Sequence, residues 1–290
     1  MLTENENSMN GMLNGLRSET TRARYGAAAQ AFLSSGHPLT AEGIMEHLVG
    51  METRGAAPAT LNLHLAALRS LAKSSPIGGE ADKICAIKGW RAQGVRQGNW
   101  LSKDQAQALL DLPDAATLDG LRDRAVLAVL LGGGLRRSEL VALNVAQIQI
   151  REGVTCLLDI TGKGRKVRTV ALPPWAAAAL GAWRQAAGIT SGPVFRPVRR
   201  ACGDWKVYSR RLSEEWVYLM VTTYVKKLPG GITAAPHDMR RTFGKLSLKG
   251  GAKLPQIQES LGHSSLVTTQ RYLGGTLDIH DAPGNYMGLE

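Results

Sequence analysis

The segment PHDMRRTFG sets His237 and Arg240 three residues apart, directly after a proline. On a helix that spacing projects both side chains from one side, within reach of a single phosphate. Arginine suits this task, because its planar fork holds two phosphate oxygens at once and stays charged at physiological pH. Alone, a His-x-x-Arg pair reads equally well as a surface or capping feature. Downstream, LGHSSLVTTQRYL places His263 in a Gly-His-Ser-Ser turn and Tyr272 in a short predicted helix that also carries Thr268 and Thr269. Read singly, His263 is a helix-entry residue and Tyr272 a partly buried aromatic; beside the His-x-x-Arg pair they form a set. A third segment, GGGLRRSELVALN, adds Arg136, with Glu139 three residues on to hold a neighbouring backbone or arginine. Arg137 beside it reads as a solvated charge.

These residues need elements to position them. Ser18 is placed to cap a helix that carries Tyr25, Ala29, Phe32 and Leu33 on one stripe and stops at Gly36, with Arg22 and Arg24 off the stripe. After Pro58, Leu61, Leu65, Leu68 and Ala72 recur at helical spacing, while Asn62, Ala66, Arg69 and Lys73 line an adjacent face. That face reads either as solvated or as one that meets a DNA groove. The stretch GWRAQGVRQGN is rich in Gly, Arg and Gln and reads as a linker, and Ser102 with Gln105 forms a capping box that opens the next region. An apolar run, Ala125 to Leu131, breaks at Gly132, Gly133 and Gly134. VTCLLDI and KVRTVAL flank a turn from Thr161 to Arg165 and predict a hairpin. Ser213 caps a helix with Val217, Met220, Val221, Tyr224 and Leu228 on its buried side, and another helix follows Pro236. The sum is a mainly α chain with one small antiparallel β-sheet, an α+β class.

Composition narrows the partners. Across 290 residues, 35 Lys and Arg against 24 Asp and Glu give a net charge of +11, which favours a polyanion, nucleic acid before anionic membrane. Aromatics make up 5% and hydrophobic residues 44%, so one sizeable core or two modest ones can form. No stretch approaches the ~18 apolar residues of a membrane span, and MLTENENSMN lacks a signal-peptide core, so a soluble, cytoplasmic protein is expected. Cys85, Cys156 and Cys202 are odd in number and far apart, which fits reduced thiols rather than zinc ligands.

Taken in order and spacing, LRRSEL, TGKGRKVR, HDMRRTF, LGHSS and TTQRY resemble the tyrosine recombinases, the phage integrase family. The resemblance covers about residues 100–275 by motif. It implies a two-domain DNA clamp: a flexible tail over 1–15, a helical core-binding domain over 16–93, a linker over 94–99, an integrase-like catalytic domain over 100–275 and a C-terminal tail over 276–290. It implies a catalytic set of Arg136, Lys163, His237, Arg240, His263 and Tyr272. In that set Tyr272 attacks a phosphodiester to form a covalent 3′-phosphotyrosyl ester, Arg136 and Arg240 clamp the phosphate and Lys163 protonates the departing 5′-oxygen. His237 assists with the tyrosine proton and His263 hydrogen-bonds the phosphate. No metal and no cofactor are expected. The partners are double-stranded DNA recombination sites, engaged by a homotetramer. Expected DNA contacts are Arg22, Arg24, Asn62, Arg69, Lys73, Lys166 and Arg168. The triple glycine before Leu135 is expected to loosen the hold on Arg136, and Lys245 to add a DNA contact. A type IB topoisomerase-like relaxing enzyme and an inactivated DNA-binding regulator are the competing readings.

Overall fold

A computed structural model describes residues 4–91, 99–162, 166–201, 204–263 and 269. The chain divides into two compact units, Met1–Val95 and Arg96–Glu290.

The first unit is helical. Helix α1 spans Glu4–Asn14, α2 Glu19–Ser34, α3 Ala41–Thr53, α4 Pro58–Lys73 and α5 Glu80–Ala86. Ser18 caps α2 by accepting from the Thr21 amide, and Pro58 sits where an unpaired amide would otherwise stand. Phe32, Ile44, Leu48, Leu61, Leu65, Leu68 and Ile84 form the centre of the core. The segment expected as a flexible tail is instead helix α1. Met9, Met12 and Leu13 follow helical spacing, and Met12 is only 2% exposed within this core. Burying that one side chain contributes about 2 kcal/mol, and Met9 and Leu13 pack beside it against the same core.

The second unit is built around α7, Leu118–Gly133, which is buried along most of its length and packs against α9, Pro174–Ala186, and α11, Pro236–Lys249. Helix α6, Lys103–Asp111, opens on the Ser102–Gln105 capping box; α8 spans Arg137–Ala142, α10 Glu214–Val225 and α12 Leu254–Leu261. Arg122 and Asp123 form a buried pair on α7, with the Arg122 guanidinium 4.0 Å over the Trp216 ring and the Tyr224 hydroxyl 3.1 Å from Asp123. This network ties α7 to α10.

The sheet is larger than the sequence indicates. Strands β1, Ile148–Arg151, β2, Val154–Thr161, and β3, Val167–Ala171, pair antiparallel in the order β1-β2-β3. Glu152 and Gly153, both at positive φ, make the tight β1–β2 turn. A second ribbon pairs β4, Val198–Ala201, with β5, Asp204–Val207. Among the described residues there are thus two sheets where one was expected. β4 was hidden because adjacent Arg199 and Arg200 break the apolar alternation that marks a strand, and β5, although Trp205 and Val207 alternate with Asp204 and Lys206, is only four residues long.

Candidate active site

The site grows from the end of α7. Gly134 closes that helix in the left-handed conformation, φ +59°, and a Cβ built there would lie 2.5 Å from the Phe243 ring. Only glycine fits both the backbone and the space. Gly132 and Gly133 are equally tight, against Ala176 and Leu135. The triple glycine therefore draws the chain into close packing, and the expectation that it loosens Arg136 is corrected.

Arg136 follows as the cap of α8. Glu139 accepts from the Arg136 amide at 2.8 Å and from its Nη1 at 2.7 Å. The same carboxylate accepts from Arg168 Nη1 and Nη2 at 3.0 and 2.7 Å, and Arg240 Nη1 lies 3.9 Å away. Glu139 is thus a hub for three arginines from α8, β3 and α11, with its side chain 2% exposed. Burial alone would push its carboxyl up; hydrogen bonds from Arg168 and the Arg136 amide, with the charge of Arg168, outweigh that and hold it at about 2.

Arg240 is 1% exposed, donating to Gly134 O at 2.6 Å and to Leu261 O. His237 stands on the first turn of α11, three residues earlier, at the surface. Loss of solvation, then the charges of Arg240 and Arg241, lower its pKa. His263 follows the left-handed Gly262 that ends α12, and its Nδ1 lies 3.0 Å from the hydroxyl of buried Thr269. Burial first, and then Arg240, Arg136 and Arg168, lower His263 to about 4. Both rings are therefore neutral near pH 7.

The hairpin meets this cluster at Gly162. A Cβ there would lie 3.2 Å from Arg136 Nη1 and 3.3 Å from Glu139 Oε1, so glycine lets the β2–β3 turn approach the arginines. Lys163 and Tyr272 lie outside the described residues. Arg136 and Arg240 come together at Glu139, with His237 one turn before Arg240 and His263 two residues after the Leu261 carbonyl that Arg240 holds.

The expected DNA contacts divide. Arg24, Lys73 and Lys166 are exposed; Arg22 is exposed and donates to Leu16 O at 2.9 Å. Asn62 is committed inside its unit: its amide donates to Trp90 O at 2.8 Å and its carbonyl accepts from Trp90 N at 2.9 Å. Arg69 donates to Ile87 O. Two side chains of the basic face of α4 thus hold the chain after α5. Arg168 has its side chain 7% exposed and turned inward onto Glu139. Strand alternation carried that signal, because Arg168 shares a face with buried Val170 while Val167 and Thr169 are exposed. Lys245 stands 4.8 Å over the Trp100 ring. Among the described residues, no group of three or more His, Cys, Asp or Glu is arranged to hold a metal, and no helix is long and apolar enough to cross a membrane.

A mainly helical unit thus gathers Arg136, Arg168 and Arg240 around one buried carboxylate, with His263 following the helix end that Arg240 and Arg168 hold. Residues 99–276 match the phage integrase family, and the chain belongs to that family. The tyrosine recombinase XerC of Myxococcus xanthus is 38% identical over 172 residues, 59% of this chain and 56% of that protein. The chain thus spans little more than half the length of that relative. The tyrosine recombinase XerA of Pyrococcus horikoshii is 28% identical over 256 residues, covering 88% of this chain and 83% of that one. The fold is that of the Tn1549 transposon integrase solved with a circular intermediate DNA, at a TM-score of 0.70 and 14% identity over 94% of this chain and 95% of that one.

Proposed function

We propose that this protein is a site-specific DNA recombinase that cleaves and rejoins strands through Tyr272. The observation that carries the reading is the convergence of three distant motifs: Arg136 and Arg240 meet at Glu139, Arg240 holds the carbonyl of Leu261 two residues before His263, His237 stands one turn before Arg240, and Gly162 of the hairpin lies against Arg136. Covalent connection supports the remaining two roles. Tyr272 follows Thr269, which touches His263, by three residues in the sequence. Lys163 directly follows Gly162.

In this mechanism the Tyr272 oxygen attacks phosphorus and the bond from phosphorus to the 5′-oxygen breaks. The tyrosine proton passes to neutral His237, and Lys163 gives a proton to the departing oxygen. Arg136 and Arg240 hold the non-bridging oxygens, with most effect as charge builds in the transition state. Arg240 is covered before DNA arrives, so its contact needs a shift over the guanidinium on binding. In the tautomer whose Nδ1 accepts from the Thr269 hydroxyl, His263 presents an Nε2–H to the phosphate. The ester preserves the bond energy, so rejoining to another 5′-hydroxyl needs no nucleotide. Arg22, Arg24, Lys73 and Lys166 are the proposed contacts to the duplex backbone. The first domain takes in α1 through α5, the catalytic domain runs 100–275, two sites are held by a homotetramer, and the work is done in the cytoplasm.

A supercoiled plasmid bearing two copies of a recovered target site tests this reading. Recombinant circles in the presence of EDTA are expected. Relaxation of any plasmid without exchange would assign a topoisomerase instead, and no covalent chemistry at all would assign a regulator.

A further inference from the structure

Arg168 makes three bonds that join three parts of the site. Its Nη1 and Nη2 take both oxygens of Glu139, and its Nε donates to Ser260 O at 2.7 Å. Ser260 is the penultimate residue of α12, next to Leu261, whose carbonyl Arg240 takes. Two guanidiniums thus close consecutive carbonyls at the end of the helix that leads into Gly262 and His263, where such carbonyls lack helical partners. Gly262 itself makes room, since a Cβ there would lie 3.1 Å from Arg168 Cδ.

We propose that Arg168 is a positioning residue for strand cleavage, which occupies the two-oxygen face of Glu139 and anchors the His263 turn without touching DNA. The inference rests on the strand-transfer reading above. A carboxylate prefers a paired, two-oxygen partner. While Arg168 fills that place, Glu139 shares one guanidinium nitrogen of Arg136 and only approaches Arg240. If Arg168 is removed, Glu139 draws Arg136 or Arg240 into the vacated arrangement and away from the phosphate. The Ser260 carbonyl also loses its donor, and the helix end that leads into the His263 turn loses that tie to β3.

The test uses the full chain with Arg168→Gln, Arg168→Lys and the double variant Arg168→Gln with Glu139→Gln. Duplex affinity, its salt dependence and the single-turnover rate of covalent adduct formation on saturating DNA are measured for each. Arg168→Gln is expected to slow cleavage about 100-fold, the cost of a small misplacement of reacting groups. Its affinity stays within about threefold, with an unchanged salt slope. Arg168→Lys recovers part of the rate, because it keeps the charge but not the fork. The double variant outpaces Arg168→Gln alone, because the surplus carboxylate is gone. A loss of affinity with a salt slope smaller by about 0.9 would make Arg168 a phosphate contact and overturn the proposal. A double variant no faster than the single would also overturn it, leaving a packing role only.

A DNA-free readout separates this result from the larger reading. In proton NMR, the His263 ring should titrate at higher pH in Arg168→Gln than in the parent chain. An unchanged His263 titration would contradict the positioning role even if the parent forms no adduct, and a parent without an adduct would by itself refute the strand-transfer reading.

Discussion

Replacing Glu139 by Gln removes the charge at the centre of the site while keeping its shape. The folded-state pKa of Glu139 is depressed from 4.5 to about 2. At 1.36 kcal/mol per unit this corresponds to about 3 kcal/mol of stability. Because the folded value is the lower one, that contribution is complete above about pH 5 and is lost as pH falls through about 2. The neutral variant also leaves three guanidiniums facing one another, so a total loss of about 3–5 kcal/mol is expected at pH 7. For a unit of this size that corresponds to a melting temperature lower by roughly 10 °C. Five of the six tryptophans, all but Trp90, follow residue 99, so tryptophan fluorescence reports mainly this unit. The gap between parent and variant should narrow by about 1 kcal/mol at pH 3.5. A Glu139→Gln protein that melts within 2 °C of the parent, as roughly half a kcal/mol would give, refutes the hub. A gap that does not change with pH refutes the charge argument.

Further outcomes follow from other parts of the structure. Gly134→Ala combines a left-handed backbone with a clash against Phe243, and should cost roughly 3 kcal/mol in a denaturant melt. Met12→Ala should destabilise the first unit by about 2–4 kcal/mol, whereas a flexible tail would give no change in its unfolding. In NMR titrations, the free protein's His263 should protonate near pH 4 and His237 below its ordinary range; a normal His263 midpoint near pH 6.5 would contradict the burial described. Neutralising Arg24 and Lys73 together should reduce the salt slope of DNA binding by about 1–2, which a filter or fluorescence assay reads directly.

Much of the site was legible because its chemistry is carried by residue type and spacing. Arg136, His237, Arg240 and His263 sit in short motifs, and caps at Ser18, Ser102 and Ser213 mark three helix starts through local hydrogen bonds. What escaped depends on tertiary context. The α4 face looked like a DNA surface because Asn62 and Arg69 are polar, yet they bond backbone 28 and 18 residues away. Arg168 looked like one more basic residue of a basic hairpin, and only its partner Glu139 reveals an inward role. Three glycines implied slack where Phe243, Leu135 and Ala176 leave no room for a Cβ. Helix α1 was masked by asparagines and glutamates, although Met9, Met12 and Leu13 carry the helical period.

The central claim is the covalent bond to Tyr272, and mass spectrometry of the trapped adduct tests it most directly. Protein expressed with its DNA is denatured in detergent without crosslinker, digested with nuclease and trypsin, and mapped. The account predicts a nucleotide joined through its 3′-phosphate to Tyr272 within the peptide that follows Arg271, and none in Tyr272→Phe. An adduct on Tyr286 or any other residue, a 5′-linked nucleotide, or an adduct that persists in Tyr272→Phe would contradict it.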